Sequence, residues 1–296
     1  MKAATMRRFA AALMLAVALM LAYPTVGTIW ENQQAREAAV QQTQQAETLK
    51  RQQPEKVEQA LRDAHAYNQS LAGVPLADPY TATQSEQDAA AYDNYLHQLA
   101  DTDVMARIRV PGVGIDLPVH HGTSDEAMRT GAGHLYGTAL PVGDTNARPV
   151  LSTHTGLRSA TLFDRLSDVK VGDVFYVDVY GETLAYEVTS IDVITPDQIE
   201  ALAPVPGKDL VTLMTCTPYA VNSHRLLVTG ERIPYNPETD PTATTTTPGP
   251  VEFILNTITP LPWYMRLMGT ASLGALITGI VMVIPTKKRP RPQGDA

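Results

Sequence analysis

The sequence predicts a mainly β domain, a barrel or sandwich, set between two apolar terminal segments. Three observations lead there. Short apolar runs recur from residue 104 to 233, at the lengths of strands rather than helices. Two of them, 174–179 and 183–194, are divided by Tyr180-Gly181-Glu182, which reads as a hairpin turn. Few stretches between them carry helical periodicity, and many short strands with few helices make barrels or sandwiches.

The elements follow in order. Arg7-Arg8 precede an uncharged stretch from Phe9 to Trp30. Its apolar centre, 9–22, has the length of a signal-peptide core, while the continuation through Val26 and Ile29 completes a membrane span, so the segment fits a cleaved signal or a retained anchor. Residues 31–70 are rich in Gln, Ala and Glu, and Val57, Leu61, Ala64 and Leu71 fall near helical spacing. This predicts an amphipathic helix within a solvated stalk. Gly73, Pro75 and Pro79 break that pattern and predict an ordered loop or extended flap over 71–83. Strands are expected to end at the Val110-Pro-Gly-Val-Gly turn and to cover 115–119, 150–152, 210–215 and 226–229. Helical pieces are expected at 124–130, where Ser124, Asp125 and Glu126 suit a helix start, after Gly156, and at 196–202. Residues 241–250 are Thr/Pro-rich and aperiodic, as in a linker.

Residues 267–284 carry no charge and are followed by Lys287, Lys288, Arg289 and Arg291. That is the length of a membrane helix with its basic cluster on the cytoplasmic side, and Arg7 and Arg8 point the same way. The expected organisation is an N-terminal signal or anchor (1–30), a helical stalk and flap (31–100), a β domain (101–236), a linker (237–262) and a membrane helix with a basic tail (263–296). Both termini would lie inside and the rest outside. Seven of the 23 Lys+Arg occupy the two flanks, leaving 16 basic against 30 acidic residues elsewhere. So acidic an exterior argues against nucleic-acid binding and serves solubility.

Cys216 is the single cysteine, so no internal disulfide is possible. It ends the run Val211-Thr-Leu-Met-Thr-Cys-Thr-Pro-Tyr219, and Arg225 opens the next run nine residues later. A lone cysteine is often a small buried hydrophobe. Two antiparallel strands here would instead bring thiol and guanidinium to the same end of the sheet. Thiol chemistry on a carbonyl needs a thiolate, a proton carrier and donors for the developing oxyanion, and arginine offers fixed N–H donors. Of the seven histidines, His65 and His97 fall in the helical lead-in, where solvation is expected. Spacing leaves His120, His121, His134, His154 and His224 open; His154 has the best context, ending a β run before Thr155-Gly156. A His doublet with one distant His lacks metal-ligand spacing, so no metal is expected; no cofactor is expected either.

The run Leu213-Met-Thr-Cys-Thr-Pro-Tyr219 followed by Asn222-Ser-His-Arg-Leu-Leu-Val-Thr-Gly230 resembles the signature of sortases, cysteine transpeptidases of Gram-positive surfaces. Gly133-His-Leu-Tyr-Gly-Thr-Ala-Leu-Pro-Val142 and Ser152-Thr-His-Thr-Gly-Leu157 resemble the same family, so the likeness covers about 105–233. It implies an eight-stranded β-barrel with Cys216, His154 and Arg225 as catalytic residues at one end of a groove, and gives His134 a non-catalytic place. It also implies a two-step reaction on an LPXTG-like sorting signal through a thioacyl enzyme. A C-terminal membrane helix, an extended N-terminal region and Asp78-Pro79-Tyr80 resemble class C, which assembles pili. There an Asp-Pro-aromatic lid covers the site, with Phe or Trp more usual than Tyr. The partners implied are pilins or surface proteins bearing LPXTG-like signals. The alternatives are a housekeeping sortase that anchors proteins to the cell wall and a non-catalytic tethered binding domain. An L,D-transpeptidase is disfavoured, because Leu-Met-Thr precedes Cys216 where that class has Ser/Thr-His-Gly.

Overall fold

A computed structural model describes residues 3–71, 76, 78–80, 89–243 and 261–284. Eight strands close into a barrel: β1 (Ala106–Val110), β2 (Ile115–His121), β3 (Ala132–His134), β4 (Val150–Ser152), β5 (Val174–Val179), β6 (Glu182–Ile194), β7 (Leu210–Thr217) and β8 (His224–Ile233). They close in the order β1-β2-β3-β4-β7-β8-β6-β5. The pairs β2–β3 and β4–β7 are parallel and the others antiparallel. Closure leaves the sheet no open edge, and the interior fills with side chains. Ile108, Phe175, Val177, Tyr186, Val211, Leu213 and Val228 belong to that core, all fully buried.

The expected hairpin is β5–β6. Tyr180 and Gly181 both take positive φ, 48° and 77°, the geometry of a two-residue type I′ turn whose twist matches the strands. In β8, Gly230 is required by packing, because a Cβ there would overlap the Phe175 ring. β3 and the helix α3 (Ala89–Leu96) were not foreseen. A three-residue strand and an eight-residue helix are too short to show a period.

The helical lead-in is α1 (Ala3–Gln52) and α2 (Pro54–Ser70). Pro54 opens α2, where its missing N–H costs nothing. Val57, Ala64 and Tyr67 form its buried face, and the helix ends one residue before Leu71. Within the unit Ile29–Pro260, α1 is fixed to the barrel by polar contacts. Arg36 and Arg107 share Asp116, Gln45 donates to Asp103 at 2.7 Å and the Lys50 ammonium donates to the Gly181 carbonyl at 3.0 Å. His65 is not the solvated residue expected: its Nδ1 is 2.7 Å from Asp144, which also accepts from Asn68. The helix expected at 124–130 is α4 (Asp125–Thr130), capped by Ser124 Oγ accepting from the Ala127 N–H. No helix follows Gly156 directly. Leu162 has φ of 38°, incompatible with a helix, and the first regular turn is a 3-10 turn at Leu166–Asp168. The helix expected at 196–202 is a 3-10 turn, Ile199–Leu202.

A second unit comprises Met1–Thr28 and Leu261–Ala296. It holds the start of α1 and α5 (Trp263–Val283). Both helices are long and apolar enough to cross a membrane. Inside this unit small residues meet: Ala11, Ala18, Ala275 and Gly279 lie in the contact, and the Ser272 hydroxyl donates to the Ala18 carbonyl at 2.8 Å. Close helix approach through small residues with a hydroxyl bond across it is the usual chemistry of packing in lipid.

After β8 the chain folds back on the barrel. Arg109 of β1 pairs with Asp178 through Nε and Nη2 (2.7 and 2.8 Å) and with Asp240 through Nη1 (2.7 Å), all buried, and Nη1 also donates to Thr242. Residues 244–260 of the expected linker and the basic tail from 285 lie outside the described residues. Breaking a buried ion pair from one side strands the other charges. Arg109→Ala is therefore expected to cost about 3–5 kcal/mol of stability, read as a lowered denaturation midpoint of the full chain in urea.

Candidate active site

Strand β7 lies between β4 and β8, and this arrangement gathers the candidate residues. In the β7–β8 ladder Cys216 is opposite Arg225. In the parallel β4–β7 ladder Ser152 is opposite Met214. The chain past Ser152 stays alongside β7: the Thr153 N–H donates to the Met214 carbonyl (3.3 Å), and Thr215 Oγ1 donates to the Thr153 carbonyl (2.8 Å). His154, two residues beyond Ser152, thereby reaches the level of Cys216, two residues beyond Met214. Thiol near the end of β7 and guanidinium near the start of β8 thus share one barrel rim, and the imidazole follows two residues past the end of β4.

Asp78, Pro79 and Tyr80 lie over that rim. Asp78 holds Arg225 in a two-point clamp, Nε to Oδ1 at 2.7 Å and Nη2 to Oδ2 at 2.8 Å, with both side chains buried. The remaining guanidinium nitrogen, Nη1, donates to the Asn222 and His224 carbonyls. The Tyr80 ring sits under the guanidinium carbon at 4.8 Å and beside the His154 ring, with centroids 5.8 Å apart. The Tyr80 hydroxyl donates to the Thr153 carbonyl (2.7 Å) and shares a hydrogen bond with Ser152 Oγ (2.8 Å). Of the loop expected over 71–83, residues 72–75, 77 and 81–83 lie outside the described residues.

The electrostatics of this arrangement favour uncharged partners. Burial pushes the Cys216 thiol above its ordinary pKa; Arg225 opposes that shift and Asp78 adds to it. Burial lowers His154, with Asp125 opposing and Arg129 assisting. The Asp125 carboxylate stands 3.6 Å from His154 Nε2, beyond hydrogen-bond reach. Arg225 is held above its usual pKa, first by its bonds to Asp78. Asp125 entered the sequence reading only as a helix start. Its neighbourhood to His154 comes from α4, which the Thr153 hydroxyl ties to the barrel by donating to the Met128 carbonyl (2.6 Å).

The other histidines are placed elsewhere. His134 is fully buried: its Nε2–H donates to the Ala139 carbonyl (2.7 Å), leaving Nδ1 to accept from the Tyr95 hydroxyl (3.0 Å). Burial lowers its pKa to about 4, so it stays neutral. His121 donates to the Gln98 carbonyl, and His120 lies by Thr130. His224 opens β8 opposite Thr217, bonded to Ser223, and His97 is exposed on the lead-in. Among the described residues no group of three or more His, Cys, Asp or Glu is placed to hold a metal ion.

A family model described as "Sortase domain" matches residues 108–233. Sortase C-1 from Actinomyces oris is 49% identical, with a TM-score of 0.58, covering 60% of this chain and 99% of that one. The chain belongs to the sortase family. Another sortase structure, described as a pilus-related sortase C of Group B Streptococcus, is 40% identical with a TM-score of 0.58, covering 66% of this chain and 98% of that one. A curated relative, sortase A of Bacillus anthracis, is 30% identical over 130 residues, 44% of this chain and 60% of that protein. The chain thus spans about three fifths of the length of that sortase.

The raised thiol makes a direct expectation. In the intact sortase, alkylation of Cys216 by iodoacetamide should be slower at pH 7 than in the urea-unfolded chain. Its rate should climb with pH along a curve displaced to the alkaline side of a free cysteine. A curve displaced to the acid side would show a pre-formed thiolate instead.

Proposed function

We propose that this sortase is a membrane-held class C transpeptidase that polymerises pilins. It cleaves the Thr–Gly bond of an LPXTG-like sorting signal and passes the acyl group to a pilin lysine amine. The observation that carries the reading is the pairing of Cys216 with Arg225 across β7–β8, and the course of the chain before His154 alongside β7 supports it. The Cys216 thiol passes its proton to His154, and the resulting thiolate attacks the threonine carbonyl carbon. Arg225 N–H groups hold the oxygen as it becomes an oxyanion. The C–N bond breaks, His154 gives its proton to the departing glycine amine, and a thioester remains on Cys216. The lysine amine then attacks the thioester carbonyl, His154 takes a proton from that amine, and the thiolate leaves.

Asp78, Pro79 and Tyr80 act as a lid in this reading. Both carboxylate oxygens of Asp78 occupy the Arg225 fork that a substrate carbonyl needs, and the Tyr80 ring stands beside His154. The resting enzyme is then autoinhibited until substrate displaces the lid. Residues 1–30 and 263–296 anchor the protein, with basic flanks at Arg7–Arg8 and Lys287–Arg291 on the cytoplasmic side and the barrel outside. The acceptor is a pilin lysine rather than a cell-wall amine because the lid and the second apolar helix accompany the class C-like motif. The likeness to sortase A proteins makes wall anchoring the alternative.

Incubating the full chain with pilin subunits is expected to give a ladder that resists boiling in detergent. Monomers alone, together with transfer to a wall-peptide mimic, would select wall anchoring. For the lid, Asp78→Ala should speed Cys216 alkylation, since it frees Arg225 and removes a carboxylate that raises the thiol pKa. Tyr80→Phe keeps the ring and loses the hydroxyl bonds to Ser152 and Thr153. At about 1 kcal/mol for that loss, labelling should rise about fivefold. Unchanged rates in both variants would remove the lid.

A further inference from the structure

The loop that follows His154 is closed at its base by one carboxylate. Asp164 Oδ1 accepts from the Gly156 N–H at 2.6 Å and from the Thr155 hydroxyl at 3.1 Å. The next bond inward joins the Phe163 N–H to the His154 carbonyl at 3.2 Å. Every residue from His154 to Gly156 is thus tied across the loop to Phe163 or Asp164. Phe163 is itself fully buried in the barrel core, so the anchor is held by core packing. Gly156 has φ of 77°, the left-handed conformation that favours glycine, and its N–H is the one the carboxylate receives. The His154 side chain has only a loose support of its own: Nε2 is buried, and the exposed Asp125 carboxylate stands 3.6 Å away, within ion-pair range but longer than a hydrogen bond.

We propose that Asp164 is a positioning residue for the acyl-transfer reaction, fixing the backbone at Thr155 and Gly156 so that the His154 imidazole is held level with Cys216. This rests on the reading of Cys216 and His154 as nucleophile and proton carrier. Asp164 touches neither. Its second oxygen, Oδ2, is buried and has no partner among the described residues. Burial raises the carboxyl pKa to about 6 against the pull of its two donors. A proton on Oδ2 would leave Oδ1 accepting the same two bonds. What the loop needs from this position is therefore one well-aimed acceptor oxygen rather than a negative charge.

That requirement separates positioning from a general structural role. A misplaced general acid slows the chemistry and leaves ground-state binding intact, and a shift of about 1 Å costs up to about 100-fold. The test uses the full chain in detergent micelles with a fluorogenic Leu-Pro-X-Thr-Gly peptide, read as separate kcat and KM. Asp164→Ala is expected to lower kcat about 10- to 100-fold with KM unchanged within about twofold. Asp164→Asn, which retains an acceptor oxygen, should restore kcat to near the parent value. Thr155→Ala removes one of the two donors without touching the core and should fall between, which keeps the proposal testable if Asp164→Ala does not fold. A folded Asp164→Ala with parental kcat, a loss confined to KM, or an Asp164→Asn as slow as Asp164→Ala would each overturn it. His154→Ala is assayed alongside. Parental activity in that variant would instead overturn the assignment of His154, an outcome distinct from failure of the Asp164 variants alone.

Discussion

The register of β7 between its two neighbours is the constraint on which the rest of this molecule depends. Side chains on a strand alternate between faces, so a slip of one residue would turn the Cys216 side chain to the opposite face of the sheet. Three features oppose such a slip. The β7–β8 ladder runs unbroken over eight residue pairs from Leu210–Glu231 to Thr217–His224. The short β4 ladder fixes the other edge at Val150–Thr212, Leu151–Leu213 and Ser152–Met214. Val211 and Leu213 pack in the main core while Met214, on the other face, packs in a second buried cluster, so exchanging faces would mismatch both layers.

The same register sets the electrostatics. Because Arg225 faces Cys216, whatever neutralises Arg225 also acts on the thiol. Asp78 takes both sides of the guanidinium fork and, with burial, drives the thiol upward while burial drives His154 downward. Both shifts favour the uncharged thiol and the uncharged imidazole, with the Tyr80 ring beside His154 and against Arg225. Removing the carboxylate changes the local charge by a full unit in a place screened little by solvent. On the reading proposed, the step that exposes the groove and the step that makes the nucleophile more acidic are one displacement.

Tyr80 illustrates how a substitution within a motif changes its physics. A ring alone covers the site by contact. The tyrosine hydroxyl adds bonds to Ser152 and to the carbonyl of Thr153, directly before His154. The Asp78–Tyr80 segment is consequently fastened at two points of different character, an ion pair at β8 and neutral hydrogen bonds at the end of β4.

The sequence by itself determined the class of the fold, because strand-length apolar runs and turn residues are local signals. The β5–β6 hairpin, the Ser124 cap and the two apolar terminal helices all followed from residues a few positions apart. Cys216 and Arg225 were also legible as a pair, since nine residues suffice for two strands and a tight connection. The choice of His154 was only partly so: spacing left five histidines open, local context favoured His154, and the family motif selected it. Its place beside Cys216 comes from the parallel β4–β7 pairing between residues more than 60 positions apart, which no local pattern encodes. The family motif implied Asp78 on Arg225, and tertiary structure alone decided the other partners that converge from distant segments: Tyr80 on Ser152, Asp125 near His154, and the burial of Arg109 with Asp178 and Asp240. Each of these is an ordinary polar residue in sequence. Each acquires its role only when barrel closure removes water and leaves one charge or one hydrogen bond to satisfy another.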